Sequence, residues 1–480
     1  MKKHLTLIII SSIILFHNST YTQETHHIEF ELENYSDKEM ILTYYFGNKR
    51  YISDTLKAIQ PGKFESKGKS ELSPGMYTAY FPRIDASFDF LINKGEQHFK
   101  LTTNLNSLIT SMQVQNSPEN RQFFEYLNFL SEKRANLSKM TKEVKELKKL
   151  ETNKIKINKL ENEIQKINDK VVAYQKDIIT KNPKSFTARI IKINSPINIP
   201  EKIRNNNNKA YYYYKEHFFD NVYFNDERFL RSPMLHQKIE QYISSKVSVQ
   251  HPDSITVAVD RILNLSKGND KIYHFVLSKL LNKYAKSKIV CMDAVYVHLV
   301  DNYYAQGKAS WIEKEQLNKI QLNANELRPI LCNSIAPEIN IQTVTNRNKT
   351  KSLLKTTSKY IVLFMWNPDA DFIPKVMQQM IKFYDEFKSK GVELFSICTK
   401  SKNLNKAELL EFIDNNGIDR WENLVDWDNR SNYKQDYRLL TNLSIFILDE
   451  NKKIISKRIG VDQITNLMNN ILKKENSVSE

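Results

Sequence analysis

The stretch "KYIVLFMWNPDADFIPK", Lys359 to Lys375, passes without a break from an apolar run to the start of a helix. "YIVLFMW" has the length and continuity of a strand buried on both faces, and the pattern predicts a helix from about Phe372 to Ser389. The end of a buried strand feeding a helix N-terminus is a favoured setting for a reactive thiolate, which the helix dipole stabilises. Yet this turn contains no cysteine. It carries two carboxylates, Asp369 and Asp371. Such acids serve either general acid–base chemistry or, more commonly, the dipole and free amides of the helix start.

Outward from this turn the pattern alternates. "GVELFSICT" reads as a strand, and "NKAELLEFIDNNG" as a helix ending at Gly417. "WENLVDWD" is a short strand or loop, "NYKQDYRLL" is helical, and "SIFILD" and "IISKRIG" form a hairpin across "ENKK". "DQITNLMNNILKK" closes as a helix. This order calls for parallel strands with crossover helices, then an antiparallel hairpin.

That order, with Trp366 ending the first buried strand, resembles the thioredoxin superfamily, in particular its envelope thiol–disulfide interchange branch. The segments carrying the resemblance are "IAPEINIQ" (335–342), "YIVLFMWNPDADFIP", "GVELFSIC" and "SIFILDENKKIISKRIG". In that family the loop reads W-x-P-x-C-x-x-C. The resemblance lays Trp366, Asn367, Pro368 and Asp369 on the approach, Ala370 on the nucleophile and Ile373 on the resolving cysteine. The family's cis-proline before the penultimate strand maps to Leu443, where a trans bond and a reshaped loop are expected, since a cis non-proline bond costs about 3 kcal/mol. These are vestigial redox positions, and no catalytic residue is assigned. Cys398, inside "ELFSIC", is the one alternative nucleophile, but its apolar strand setting suits a packed thiol.

The rest of the chain reads as two further regions. Residues 27–114 alternate in short strands punctuated by Pro-Gly and Gly turns, which predicts a small antiparallel β-sandwich. Within it "SFDFLI" and "HFKLTT" are expected to pair as a hairpin around "KGEQ". Residues 117–331 are helical. Over 119–180 apolar residues recur at heptad-like spacing and the phase slips near "ETNK", the mark of a stutter or a hairpin turn. The segment suits an antiparallel pair within the chain, with self-association through 119–180 as an alternative. The aromatic run "AYYYYKEHFFDNVYF" suits core packing more than a ligand groove. Asp253 or Ser254 is expected to cap the helix after Pro252. His298 has no partner at metal-ligand spacing and reads as a hydrogen-bonded histidine. The layout as a whole, with the thioredoxin-like region at 332–474, resembles multidomain envelope proteins of the Bacteroidota. Their helical region is known mainly as a domain of unknown function.

Composition bounds the function. The chain has 480 residues, 41% hydrophobic, with a formal net charge of +16. That length favours two to four domains. The lysines are dispersed among acids, without the basic block and interleaved aromatics of a nucleic-acid binder, so no nucleic acid is expected as partner. "MKKH" followed by "LTLIIISSIILF" and "HNSTYTQ" has the layout of a signal peptide over residues 1–22, which predicts export to the periplasm or cell envelope without a further membrane span. Three cysteines, widely spaced and odd in number, predict no structural disulfide. No metal or cofactor motif is present. The expectation is a multidomain α+β protein whose terminal domain is a redox-inactive binding module for extended polypeptide or envelope partners. The alternative is a thiol–disulfide oxidoreductase or peroxidase-like enzyme with a non-standard cysteine.

Overall fold

The computed structural model describes residues 24–151, 153–399 and 405–478. The expected signal segment, residues 1–22, lies outside them. The chain folds as two compact units divided between Glu240 and Gln241, inside the span read from sequence as one helical region.

The first unit opens with eight strands: β1 (His26–Glu33), β2 (Glu39–Phe46), β3 (Lys49–Lys57), β4 (Lys63–Gly68), β5 (Gly75–Phe81), β6 (Ala86–Ile92), β7 (His98–Asn104) and β8 (Gln113–Gln115). They form two four-stranded sheets, ordered β4-β1-β7-β8 and β3-β2-β5-β6. Alternation along β1 buries Ile28, Phe30 and Leu32. Phe30 meets Phe90 of the other sheet with ring centroids 5.4 Å apart, so the apolar faces close on each other. Two expectations are corrected. The sandwich is not wholly antiparallel, because β1 pairs parallel with β7, Ile28 opposite Phe99. Nor are β6 and β7 a hairpin, since they lie in different sheets. The turn between them changes layer, which brings Phe90 and Phe99 to 6.2 Å across the core.

Helices α1 (Pro118–Lys149) and α2 (Lys154–Lys181) follow. Ser117 caps α1, its side chain accepting from the Asn120 amide. The phase slip near "ETNK" is a hairpin turn: Asn153 caps α2, and Lys148–Glu161 and Lys156–Glu143 pair across the helices at 2.7 and 2.6 Å. At the far end of the pair Phe129 packs on Tyr174 at 4.3 Å. The unit continues through α3 (Phe186–Ile193), α4 (Glu201–Arg204) and α5 (Asn207–His217), and the division falls within α6 (Pro233–Ile243). In the aromatic run Phe218, Phe219 and Phe224 are buried, most of the tyrosines are partly buried and Tyr212 is exposed.

The second unit begins with α7 (Pro252–Ser266), α8 (Asp270–Ala285), α9 (Asp293–Leu299), which runs into a π-helical turn at Val300–Tyr304, and α10 (Lys314–Leu327). The cap of α7 is His251, with Pro252 in the first turn, and not Asp253 or Ser254. The Pro252 ring presets the backbone angle of the first turn, so the cap falls on the residue before it. The expectation of no disulfide is also corrected: Cys291 and Cys332 are bonded, with Cα atoms 5.6 Å apart. A separation of 41 residues gives no local signature of such a pair.

The rest of this unit is one sheet with helices. Its strands are β9 (Asn340–Thr343), β10 (Thr350–Ser352), β11 (Tyr360–Trp366), β12 (Val392–Cys398), β13 (Asn423–Val425), β14 (Leu443–Asp449) and β15 (Ile454–Lys457). Their order is β10-β9-β13-β12-β11-β14-β15. The pairs β11–β12 and β12–β13 are parallel, and β14 runs antiparallel to β11. The helices are α11 (Ile373–Phe387), α12 (Lys406–Asn415), α13 (Tyr433–Asp436) and α14 (Val461–Val478). Every residue of β11 is buried. Val362, Phe364 and Trp366 pack with α11, α12 and α14 on one face, while Ile361, Leu363 and Met365 pack with Tyr433 and Tyr437 on the other. This is why the strand reads as a continuous apolar run rather than an alternating one. Helix α11 anchors the first face through Val376, Met377, Met380, Phe383 and Phe387. Each such side chain is worth about 1.5–3 kcal/mol in burial.

Candidate functional site

The turn from β11 to α11 brings Trp366, Pro368, Asp369, Ala370 and Ile373 together with Leu443, which lies opposite Trp366 in the antiparallel ladder. Trp366 is fully buried and stacks on Phe412 at 5.4 Å. Its indole Nε1 donates to Ser396 Oγ at 2.9 Å, and Ser396 Oγ donates to Asn423 Oδ1 at 3.0 Å. Trp421 Nε1 donates to the same Asn423 oxygen at 3.1 Å, while Asn423 Nδ2 donates to the Ile418 carbonyl at 2.7 Å. The parallel neighbours β11, β12 and β13 place these side chains side by side. A buried polar network with its members satisfied fixes one orientation of the indole.

The loop before β14 is stapled to the turn. The Asn367 amide donates to the Asn442 carbonyl at 2.9 Å, and Asn367 Nδ2 donates to Asn442 Oδ1 at 3.1 Å. On the other side Thr399 donates through its amide and its hydroxyl to the Trp366 carbonyl, at 2.8 and 3.1 Å. The Ile373 amide then bonds the Ala370 carbonyl at 2.9 Å, which places the two residues one turn apart. Ala370 and Ile373 are both buried in the cluster around α11. Neither side chain ionises, so this turn has no group with which to attack a disulfide.

The carboxylates of Asp369 and Asp371 are exposed. The cap position of α11 is Phe372, whose side chain makes no capping bond. Leu443 is partly buried against the same cluster, and no cis peptide occurs among the described residues. Cys398 is 1% exposed, paired in register with Trp366 and packed in the same cluster. Burial, and then the neighbouring Cys398, push the Tyr433 phenol well above its ordinary value. A thiol so enclosed is poorly placed to meet a substrate. His298 lies elsewhere in the unit, with Nε2 2.7 Å from Asp260 Oδ1, a hydrogen-bonded histidine as read from sequence.

Two features of this surface are absent from the sequence reading. The Trp366–Ser396–Asn423 network and the Asn367–Asn442 staple both join residues from separate elements, and nothing in the local sequence marks them. A third feature is a set of exposed apolar side chains flanking the staple: Phe372 is 48% and Leu440 73% exposed.

Comparison with known proteins agrees with the strand order. Residues 332–457 match the AhpC/TSA family, while residues 26–123 and 151–326 match two domains of unknown function, DUF4369 and DUF5106. No curated protein matches the chain. Among solved structures, a domain of a possible thiol-disulfide isomerase from Cytophaga hutchinsonii is 24% identical, covering 31% of this chain and 97% of its own, with a TM-score of 0.27. A thioredoxin-like protein from Bacteroides caccae is 15% identical, covering 57% of this chain and 96% of its own, with a TM-score of 0.43. By its strand order and by the family matched over 332–457, this region is a thioredoxin-like domain of a multidomain α+β chain.

Proposed function

We infer that the thioredoxin-like domain binds extended polypeptide without exchanging thiols at the β11–α11 turn, and that the chain works in the cell envelope after export. The observation that carries this reading is the site itself. Alanine and isoleucine fill the two vestigial thiol positions in a turn stapled to the loop before β14, and Phe372 and Leu440, close in sequence to the two ends of that staple, are exposed. Exposed apolar side chains beside a rigid turn suit the apolar side chains of an extended polypeptide. In support of an envelope location, residues 1–22 have signal-peptide layout, and no described helix is long and apolar enough to cross a membrane.

The test measures binding of a permanently unfolded polypeptide, such as reduced and carboxymethylated lactalbumin, to the full chain. The variant Phe372→Asp with Leu440→Asp is expected to bind roughly ten-fold more weakly, the scale of losing an apolar anchor. A Cys291→Ser, Cys332→Ser variant, which leaves the β11–α11 turn intact, is expected not to turn over insulin with a dithiol reductant. Unchanged binding by the Phe372→Asp, Leu440→Asp variant overturns this binding surface. Dithiol turnover that disappears in Cys398→Ser overturns the absence of thiol chemistry in this domain.

A further inference from the structure

The Cys291–Cys332 disulfide stands apart from the β11–α11 turn and forms part of the wall of a cavity of about 500 Å³. Both cysteines are partly exposed. Val290, Ile455, Ile459 and Leu467 give the cavity apolar walls, and Gln463 and Asn470 of α14 give it amides. Apolar walls with a few convergent polar groups are the usual makeup of a ligand site.

The disulfide is not alone in holding its two segments. Lys457 Nζ donates to Asp293 Oδ2 at 2.5 Å and to the Ile330 carbonyl at 2.6 Å. Asp293 and Ile330 each lie two residues from one of the cysteines, so this buried ammonium clasps the same two segments as the sulfurs. The backbone repeats the tie on the Cys332 side. The Asn333 amide donates to Ile454, Ile454 to Ser334, and Ala336 to Lys452, at 2.8–2.9 Å. These ties do not depend on the S–S bond. Cys291 also holds φ at +68°, a left-handed conformation disfavoured for a residue with a β-carbon, and such residues cluster where local structure is functional. A disulfide that is partly exposed, duplicated by non-covalent ties and set in a cavity wall has the makings of an exchanging bond rather than a buried staple.

We propose that Cys291–Cys332 is a thiol–disulfide exchange site, and that the cavity beside it seats an extended peptide segment bearing two cysteine thiols. In the exchange a substrate thiolate attacks one sulfur of the pair. A mixed disulfide forms as the S–S bond breaks, and the other sulfur leaves as thiolate and takes up a proton. The second substrate thiol, deprotonated, then attacks the mixed disulfide. It leaves with the substrate oxidised to a disulfide, and Cys291 and Cys332 reduced to thiols. Two electrons and two protons pass to the pair, and no other reactant is needed for the single exchange. This site uses neither Ala370, Ile373 nor Cys398, so it stands or falls separately from the binding role above.

The experiment incubates the native full chain with a dithiol peptide whose cysteines are flanked by leucines, or with dithiothreitol. Both arms are quenched by alkylation and read by mass spectrometry. The expected result is reduction of Cys291–Cys332 in native buffer with near-ultraviolet circular dichroism retained and Cys398 unmodified. Given the same peptide in its disulfide form, one of the variants Cys291→Ser and Cys332→Ser should accumulate a mixed disulfide, the remaining cysteine thiolate opening the peptide's S–S bond and the peptide's other sulfur leaving as thiolate. Gln463→Trp with Asn470→Trp, both exposed positions, should slow the peptide roughly ten-fold, the scale of one lost apolar contact, and slow dithiothreitol less. Reduction that requires denaturant, or that abolishes the near-ultraviolet signal, overturns the exchange site. Peptide and dithiothreitol slowed alike, or neither slowed, overturns the cavity as the peptide's seat.

Discussion

A buried indole requires an acceptor for its N–H, and Trp366 finds one thirty positions away, in Ser396. The tryptophan is legible in the sequence because it ends an apolar run, but its partner is not, since only the pairing of β11 with β12 makes the two neighbours. The same applies to Asn367 and Asn442. The loss of the thiols, by contrast, is written in the chain at Ala370 and Ile373. If those residues occupy the family's turn, Ala370→Cys with Ile373→Cys should restore a pair one helical turn apart. The first thiol, beside the helix start, should titrate below the free value of about 8.5. The pair should close under mild oxidation, read by thiol titration. Adding Leu443→Pro should raise dithiol activity further. Thiols that never pair would show that the turn is not the one the resemblance assigns. Ile373 is fully buried, so the double variant is expected to lose about 1–3 kcal/mol as the side chain shrinks.

Helix starts show the same limit at the scale of the element. The cap of α1 is local: Ser117 stands directly before Pro118 and the helical run, and its side chain accepts from the Asn120 amide. The cap of α3 is partly remote. Ser185 accepts from the Ala188 amide, but the Phe186 and Thr187 amides donate to the buried carboxylate of Glu119, on α1, at 2.9 and 2.8 Å. The Thr187 hydroxyl adds a third bond at 2.7 Å. A carboxylate that accepts several buried donors carries more of the helix start than a local cap does. Glu119→Ala is therefore expected to cost about 3 kcal/mol, from buried donors left without acceptors, against about 1 kcal/mol for Ser185→Ala. Urea denaturation measures both, and equal costs would place the weight on the local cap instead. Periodicity could announce α1 and α2, and the slip at "ETNK" could announce their turn. It could not announce which distant acid would close the next helix, nor that β1 would pair parallel with β7.

For the whole molecule, class and layering were legible because each region keeps one period, alternating, heptad-like or continuous, over many residues. Connections that change layer, and the disulfide, were not, because they depend on which elements meet. The start of α1 is a case in which such a connection governs stability. Strand β6 lies at the edge of its sheet, where unpaired backbone invites another chain. Asn120 covers it: its Oδ1 accepts from the Leu91 amide at 2.8 Å, and its Nδ2 donates to the Leu91 carbonyl at 2.7 Å. Asn93 Nδ2 reaches Glu119, and the Ser117 hydroxyl reaches Glu96, at 3.0 and 2.8 Å. The first residues of the helical region thus act as the missing neighbour of β6. A fragment of residues 24–116, cut where the strand pattern ends, should lose this cover, whereas residues 24–240 should keep it. The shorter fragment is expected to be less stable by at least about 3 kcal/mol, from buried backbone groups left without partners, and to associate through the bared edge. Denaturant titration and light scattering of the two fragments measure this. In the longer fragment Asn120→Ala should reproduce part of the loss, since it removes both bonds to Leu91 while leaving the chain intact. A shorter fragment that is monomeric and as stable as the longer one would show that the sandwich closes its own edge and that α1 only rests against it.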